Sequence, residues 1–200
     1  MSEHRLLGIT TDNKLRWESH INNVCKTVLR LVLLLSKLRY IVDIDTRKLF
    51  FNAHIKPHID YASVVWERCS GVLKKRLNSL RRRAVKLILP DTTLTTGQKL
   101  REMRIMSLQK QLEYITKVCS CTGSLAGYIY MSNLYTHTPS CYSNSRNNYL
   151  SLPRPRIDIF KTSISFSGAY LWSNLPLTVR SCKSLSSFKR KLRAHLEVVT

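Results

Sequence analysis

The chain has 200 residues, enough for one globular domain or a small domain with an extension. It carries 33 Lys+Arg against 12 Asp+Glu, a formal net charge of +21, and the excess is spread over both halves, which excludes a single basic tail. Hydrophobic residues make up 44%, enough for a packed core. Charge this one-sided points to a polyanionic partner, nucleic acid first and an anionic membrane second. No uncharged apolar run approaches the roughly 18–20 residues of a membrane-spanning helix, so no membrane partner of that kind is expected. Met1–Arg5 leads straight into Leu6-Leu7-Gly8 without an apolar signal core. An intracellular, reducing compartment follows as the expectation, nucleus or cytoplasm left open, with the six cysteines as thiols.

Arg5-Leu6-Leu7-Gly8-Ile9-Thr10 reads as a short strand, and Asp12-Asn13-Lys14 as a turn. From Glu18 to Tyr40 the residues Ile21, Val24, Val28, Leu31, Leu35 and Leu38 recur at helical steps and form an apolar stripe. Asp45 reads as an N-cap, with Thr46-Arg47-Lys48 opening a helix through Leu49, Phe50 and Ala53 that Pro57 interrupts or kinks. A further apolar segment follows at Ile59, Ala62, Val65 and Trp66.

The segment from Leu73 to Leu89 carries the clearest helical pattern. Leu73, Leu77, Leu80, Ala84, Leu87 and Ile88 project into an arc of about 100°. Lys75, Arg82 and Lys86 project opposite; Lys74 and Arg81 flank one edge, and Arg76 and Arg83 the other. No acidic residue lies between Glu67 and Asp91, and Pro90 ends the segment. Two shorter helices are expected near Gln98–Arg104 and Leu108–Cys119, the second capped by Ser107.

From Ser120 to Pro155 there is no acidic residue, few aliphatics, and five tyrosines at 128, 130, 135, 142 and 149. This reads as an irregular linker between a helical domain and a small tail. The tail resumes at Ile157-Asp158-Ile159-Phe160, continues around Phe166 to Pro176, and ends in a helix from Leu185 to about Val198 with Ser184 as cap.

Four local patterns stand in one order: Leu7-Gly8-Ile9 with Asp12, Leu15, Trp17, His20 and Ile21; Pro57-His58-Ile59-Asp60-Tyr61 followed by Trp66; the basic helix at 73–89; and Trp172-Ser173-Asn174-Leu175-Pro176 with Phe188-Lys189. Together they resemble the C-terminal part of the reverse transcriptase of LINE-type (non-LTR) retrotransposons, the jockey-like group in particular. The first pattern resembles the stretch that closes the palm, the second an element of the helical thumb, and the last the W-N-x-L-P and F-K signatures of the tail. The tail here reads W-S-N-L-P, and Arg81 stands where the family often has Gln.

The resemblance implies a mainly α fold: a remnant of a palm strand at 1–16, a helical thumb-like domain at 17–119, the irregular Tyr/Ser-rich linker at 120–156, and a tail at 157–200. It implies no catalysis by this chain alone. Nucleotide addition needs clustered carboxylates to hold two metal ions about 4 Å apart. The sequence contains no Asp-Asp pair, and the family's carboxylate element lies upstream of the Leu-Gly segment. The expected function is a reverse transcriptase fragment that keeps the nucleic-acid-binding surfaces of thumb and tail, without a cofactor. The alternative is a host-retained basic helical module that binds RNA or an acidic protein.

The expected contacts to RNA or an RNA–DNA hybrid are Lys74, Lys75, Arg81, Arg82 and Lys86 on one helix and Lys189, Arg190, Lys191 and Arg193 on another. Cations on phosphates position a duplex without reading its sequence. Apolar faces that the resemblance assigns to palm docking are expected to favour self-association. Cys119-x-Cys121 with His137 and Cys141 supplies four zinc-type ligands in order, at spacings that fit a zinc knuckle poorly, against ordinary thiols and a loop histidine. His54 and His58 are interrupted by Pro57, and Asp43-Ile44-Asp45 reads as a turn and cap. Trp17, Trp66 and Trp172 read as core anchors rather than base-stacking platforms, and the tyrosines as a loop rather than a single-strand platform.

Overall fold

The computed structural model describes residues 3–91, 93–125, 150–161, 163–182 and 184–198. The protein is mainly α-helical, with a two-stranded antiparallel sheet at the N-terminal end. It divides into two compact units, Met1–Leu108 and Gln109–Thr200.

In the first unit the expected single strand is a hairpin: β1 (Glu3–Leu6) pairs with β2 (Ile9–Asp12), with Leu6 opposite Ile9. Leu7 and Gly8 both have positive φ, 48° and 81°. That is the two-residue turn whose twist matches the flanking strands, and glycine at its second position carries the φ no side chain tolerates well. The Asp12 turn forms as expected, with its carbonyl accepting from Leu15 N at 3.1 Å and its carboxylate from Arg16 N at 2.7 Å.

Helix α1 (Glu18–Leu38) buries Ile21, Val28 and Leu35 of the expected stripe, while Val24, Leu31 and Leu38 are only partly buried and Cys25 and Val32 complete the buried face instead. Each such aliphatic, fully buried, is worth about 1.5–3 kcal/mol against exposure. Helix α2 (Ile44–Phe50) starts from Asp43, so the cap lies two residues before the expected Asp45, which instead pairs with Lys48 at 3.2 Å. Hydrogen bonding to the Thr46 side chain holds the Asp43 carboxyl below its ordinary range. Pro57 does not break the helix. A π-helical turn (Phe51–Ile55) leads directly into α3 (Lys56–Asp60), so the chain stays helical past a residue that lacks an N–H donor. Ala62, in the left-handed region, then turns the chain into α4 (Ser63–Trp66), where Trp66 is fully buried and donates Nε1–H to the Tyr61 carbonyl at 3.2 Å.

Helix α5 (Gly71–Ile88) packs along α1. Ser70 is its N-cap, its hydroxyl accepting from Leu73 N. Helix α6 (Thr96–Glu102) opens on a capping box between Thr95 and Gln98.

The second unit begins at Gln109, earlier than the expected end of the helical domain at 119. Helix α7 (Leu108–Leu125) belongs with the tail from Gln109 onward, because Tyr114 and Val118 pack on the tail's own core. That core joins Leu150, which precedes these helices in the chain, to Trp172, Leu175, Val179, Phe188, Leu192 and Leu196 from α9 (Ile164–Ser173), α10 (Leu177–Arg180), α11 (Leu185–Val198) and the segments between them. A short α8 (Asp158–Lys161) precedes them. The Trp172 and Phe188 rings stack at 5.6 Å, which joins the two tail motifs in one cluster. Ser184 caps α11 as expected, its hydroxyl accepting from Ser187 N at 3.3 Å.

Candidate nucleic-acid interface

Helix α5 is built as a two-sided rod. Its buried face runs through Leu77, Arg81, Ala84, Val85 and Ile88. Its exposed face carries Lys75, Ser79, Arg82 and Lys86, spaced i, i+4, i+7 and i+11, with Arg76 and Arg83 alongside. At 1.5 Å per residue, the row from Lys75 to Lys86 is about 16 Å long. Among the described residues Lys75, Arg82, Arg83 and Lys86 make no ion pair or hydrogen bond.

Two expected contact residues are drawn away from that face. Arg81 is 2% exposed, and its Nη2 donates to the Met106 carbonyl. Its Nε and Nη1 have no hydrogen-bond partner among the described residues. Burial pushes its pKa down to about 10, with Asp60 acting in the opposite sense, so it is still a cation at neutral pH. The sequence position puts Arg81 in the i, i+4, i+7, i+11 row of Leu77, Ala84 and Ile88, so its guanidinium goes into the unit and is unavailable to a phosphate. Lys74 is half-buried and pairs with Glu67 at 3.3 Å. Glu67 also takes Arg68 at 3.2 Å, and lies before the N-terminal end of α5, where a carboxylate is favoured.

Arg76 and Arg83 are the cations that the pattern named only as flanking. Arg76 donates to Asn22 Oδ1 at 2.7 Å and is thereby oriented, while Arg83 is free among the described residues. The signal was present in the sequence as the absence of any acid between Glu67 and Asp91, which leaves no partner on the helix itself.

At its far end α5 is closed by cations. Arg47 Nη1 donates to the carbonyls of Leu87 and Ile88, and buried Lys99 donates to the Leu89 carbonyl at 2.7 Å. These are the carbonyls a helix end leaves without backbone partners.

In the second unit Lys189, Arg190, Lys191 and Arg193 are all exposed on α11. Lys191 donates to the Thr178 carbonyl at 3.1 Å, and the Arg193 guanidinium lies over the Tyr114 ring at 5.9 Å. Lys189 and Arg190 make no ion pair or hydrogen bond among the described residues. Both basic helices therefore present cations, each on its own unit.

Among the described residues no group of three His, Cys, Asp or Glu could hold a metal ion. Cys119 lies on α7, whereas His137, Cys141 and the side chain of Cys121 lie outside the described residues, as do the five tyrosines from 128 to 149. His54 and His58 are exposed, with the π-helical turn carrying His54 beside Phe50 at a ring distance of 4.8 Å. Trp17, Trp66 and Trp172 are buried, so none offers a face to a base. The cysteines at 25, 69, 119 and 182 are free thiols. No described helix is long and apolar enough to cross a membrane. No protein-family profile, no curated protein and no solved structure matches the chain.

Proposed function

We propose that this chain holds RNA, or an RNA–DNA hybrid, by its phosphate backbone, as the thumb and tail portion of a LINE-type reverse transcriptase. The observation that carries the reading is the row of Lys75, Arg82 and Lys86 on one exposed face of α5, with Arg83 beside it and no carboxylate paired to any of them. Cations left without internal partners on a rigid helix are arranged for an external polyanion, and their contacts position a duplex without sequence preference. The order of the four motifs supports the family origin. The reading gives the chain's own residues no part in nucleotide addition, since the sequence has no Asp-Asp pair with which to begin a two-metal site. Lys189 and Arg190 supply a second contact region. Free buried thiols at Cys25, Cys69 and Cys182 fit work in a reducing, intracellular setting.

The test is binding of the chain to a labelled RNA–DNA hybrid by fluorescence anisotropy over a range of salt. About four neutralised phosphates give a slope of log K against log salt of roughly −3.6. A slope near zero overturns the backbone reading.

A further inference from the structure

The N-terminal hairpin leaves one edge open in a way that selects what can pair with it. Among the described residues β1 has a ladder partner on one side only, β2, and all four of its residues are exposed. In a hairpin closed by a two-residue turn of this type, the flanking residues exchange both backbone hydrogen bonds. Leu6 and Ile9 are that pair. Alternation along the strand then turns the backbone groups of Leu6 and His4 toward β2, and those of Glu3 and Arg5 toward the open edge. Thr11 Oγ1 donating to the His4 carbonyl at 3.2 Å agrees with that direction.

We propose that the open edge of β1 pairs with β1 of a second copy of this chain, antiparallel and symmetric about His4, so that Glu3 of each copy faces Arg5 of the other. Only Glu3 and Arg5 offer outward backbone groups within β1, so an added strand must make its bonded pairs with these two. Placing Glu3 opposite Glu3, or Arg5 opposite Arg5, sets like charges face to face. The register about His4 is the one that gives two opposite-charge pairs, each with both backbone bonds. Glu3 and Arg5 share one face of the strand, being two apart. The Glu3 carboxylate accepts from Ser19 Oγ at 2.5 Å through Oε1, which orients it and leaves Oε2 for a guanidinium.

Natural edges discourage pairing with charged side chains, proline or bulges. β1 has no proline, and the charges of Glu3-His4-Arg5 are complementary to themselves when the strand is reversed, so they favour this one antiparallel partner. The overall charge of +21 opposes association. That repulsion is screened beyond about 8 Å at physiological ionic strength, while contacting pairs are screened less. The surface is short, so the dimer is weak. The proposal stands independently of nucleic-acid binding, since it uses none of the α5 or α11 cations.

The experiment is sedimentation equilibrium of the full chain without nucleic acid, at physiological ionic strength, on wild type, Arg5→Glu, the double exchange Glu3→Arg with Arg5→Glu, and Arg5→Pro. Circular dichroism checks that each variant keeps its helix content. Arg5→Glu weakens the dimer about tenfold or more by opposing Glu to Glu twice. The double exchange restores it to within about threefold, because the pairs are recreated in reverse. Arg5→Pro removes an outward N–H that the hairpin does not use and abolishes the dimer. A wild type that stays monomeric at every accessible concentration overturns the proposal. So does a dimer indifferent to Arg5→Glu, or one that the double exchange fails to restore.

Discussion

Arg47 on α2 donates through Nη1 to the carbonyl of Ile88, the last residue of α5, at 3.2 Å. The same nitrogen reaches the Leu87 carbonyl at 3.3 Å, and Nε donates to Val42 at 3.1 Å. A single guanidinium thus joins the end of one helix to the start of another and places a positive charge where the α5 dipole is negative. Charge-assisted bonds of this kind contribute about 1.5–3 kcal/mol. Arg47→Ala is expected to lower the unfolding free energy by about 2 kcal/mol in urea titration, and Arg47→Lys, without the fork, to recover less than half. Equal stability of all three proteins contradicts the role.

Arg81 separates burial from binding. Its guanidinium is enclosed and only partly hydrogen-bonded, so replacement by an apolar chain of similar length costs little, within about 1.5 kcal/mol. Arg81→Met is expected to bind an RNA–DNA hybrid within about twofold of wild type, because no phosphate contact is lost. Arg81→Glu buries a carboxylate without a partner and is expected to destabilise by about 3 kcal/mol or more. A large loss of affinity in a folded Arg81→Met protein would restore Arg81 to the binding surface.

His20 is 5% exposed, its Nε2 has no hydrogen-bond partner among the described residues, and burial lowers its pKa from the ordinary 6.5. The unfolded chain therefore takes up this proton at a higher pH than the folded one. Stability is unaffected by this group well above 6.5 and falls as the pH drops below it, by at most about 1.4 kcal/mol per unit. Thermal melts from pH 7.5 to 5.5 are expected to lose more stability in wild type than in His20→Leu. Parallel losses in the two proteins contradict the assignment.

Much of this architecture is legible in the residues because three helices carry long periodic stripes. The spacing of Ile21, Val28 and Leu35 in α1, of Leu77, Ala84 and Ile88 in α5, and of Phe188, Leu192 and Leu196 in α11 marks residues that are buried, whereas the burial of Val32 in place of the expected Leu31 is not read from the spacing. Features set by single residues are less legible. A strand pattern from Arg5 to Thr10 contains the Leu7-Gly8 turn within it, and apolar Leu7 hides the reversal. The cap at Asp43 rather than Asp45 is a choice between two equivalent side chains two residues apart. Arg81 has the composition of a surface residue and the position of a core one; only the Met106 carbonyl, 25 residues away in sequence, decides between them. The grouping of α7 with the tail depends on Tyr114 and Val118 packing against the core cluster that contains Trp172 and Phe188, a long-range packing that periodicity does not encode.

The most direct measurement for the central claim compares wild type with Lys75→Glu, Arg82→Glu and Lys86→Glu, singly and together, for RNA–DNA hybrid affinity over a salt series. Each single reversal is expected to weaken binding at low salt and to reduce the steepness of the salt dependence by about one unit, and the triple variant to remove most of it. Because all three side chains are exposed, helix content and melting temperature are expected to stay close to wild type. Unchanged affinity and unchanged slope in the folded triple variant would contradict the account that this face of α5 holds the nucleic-acid backbone.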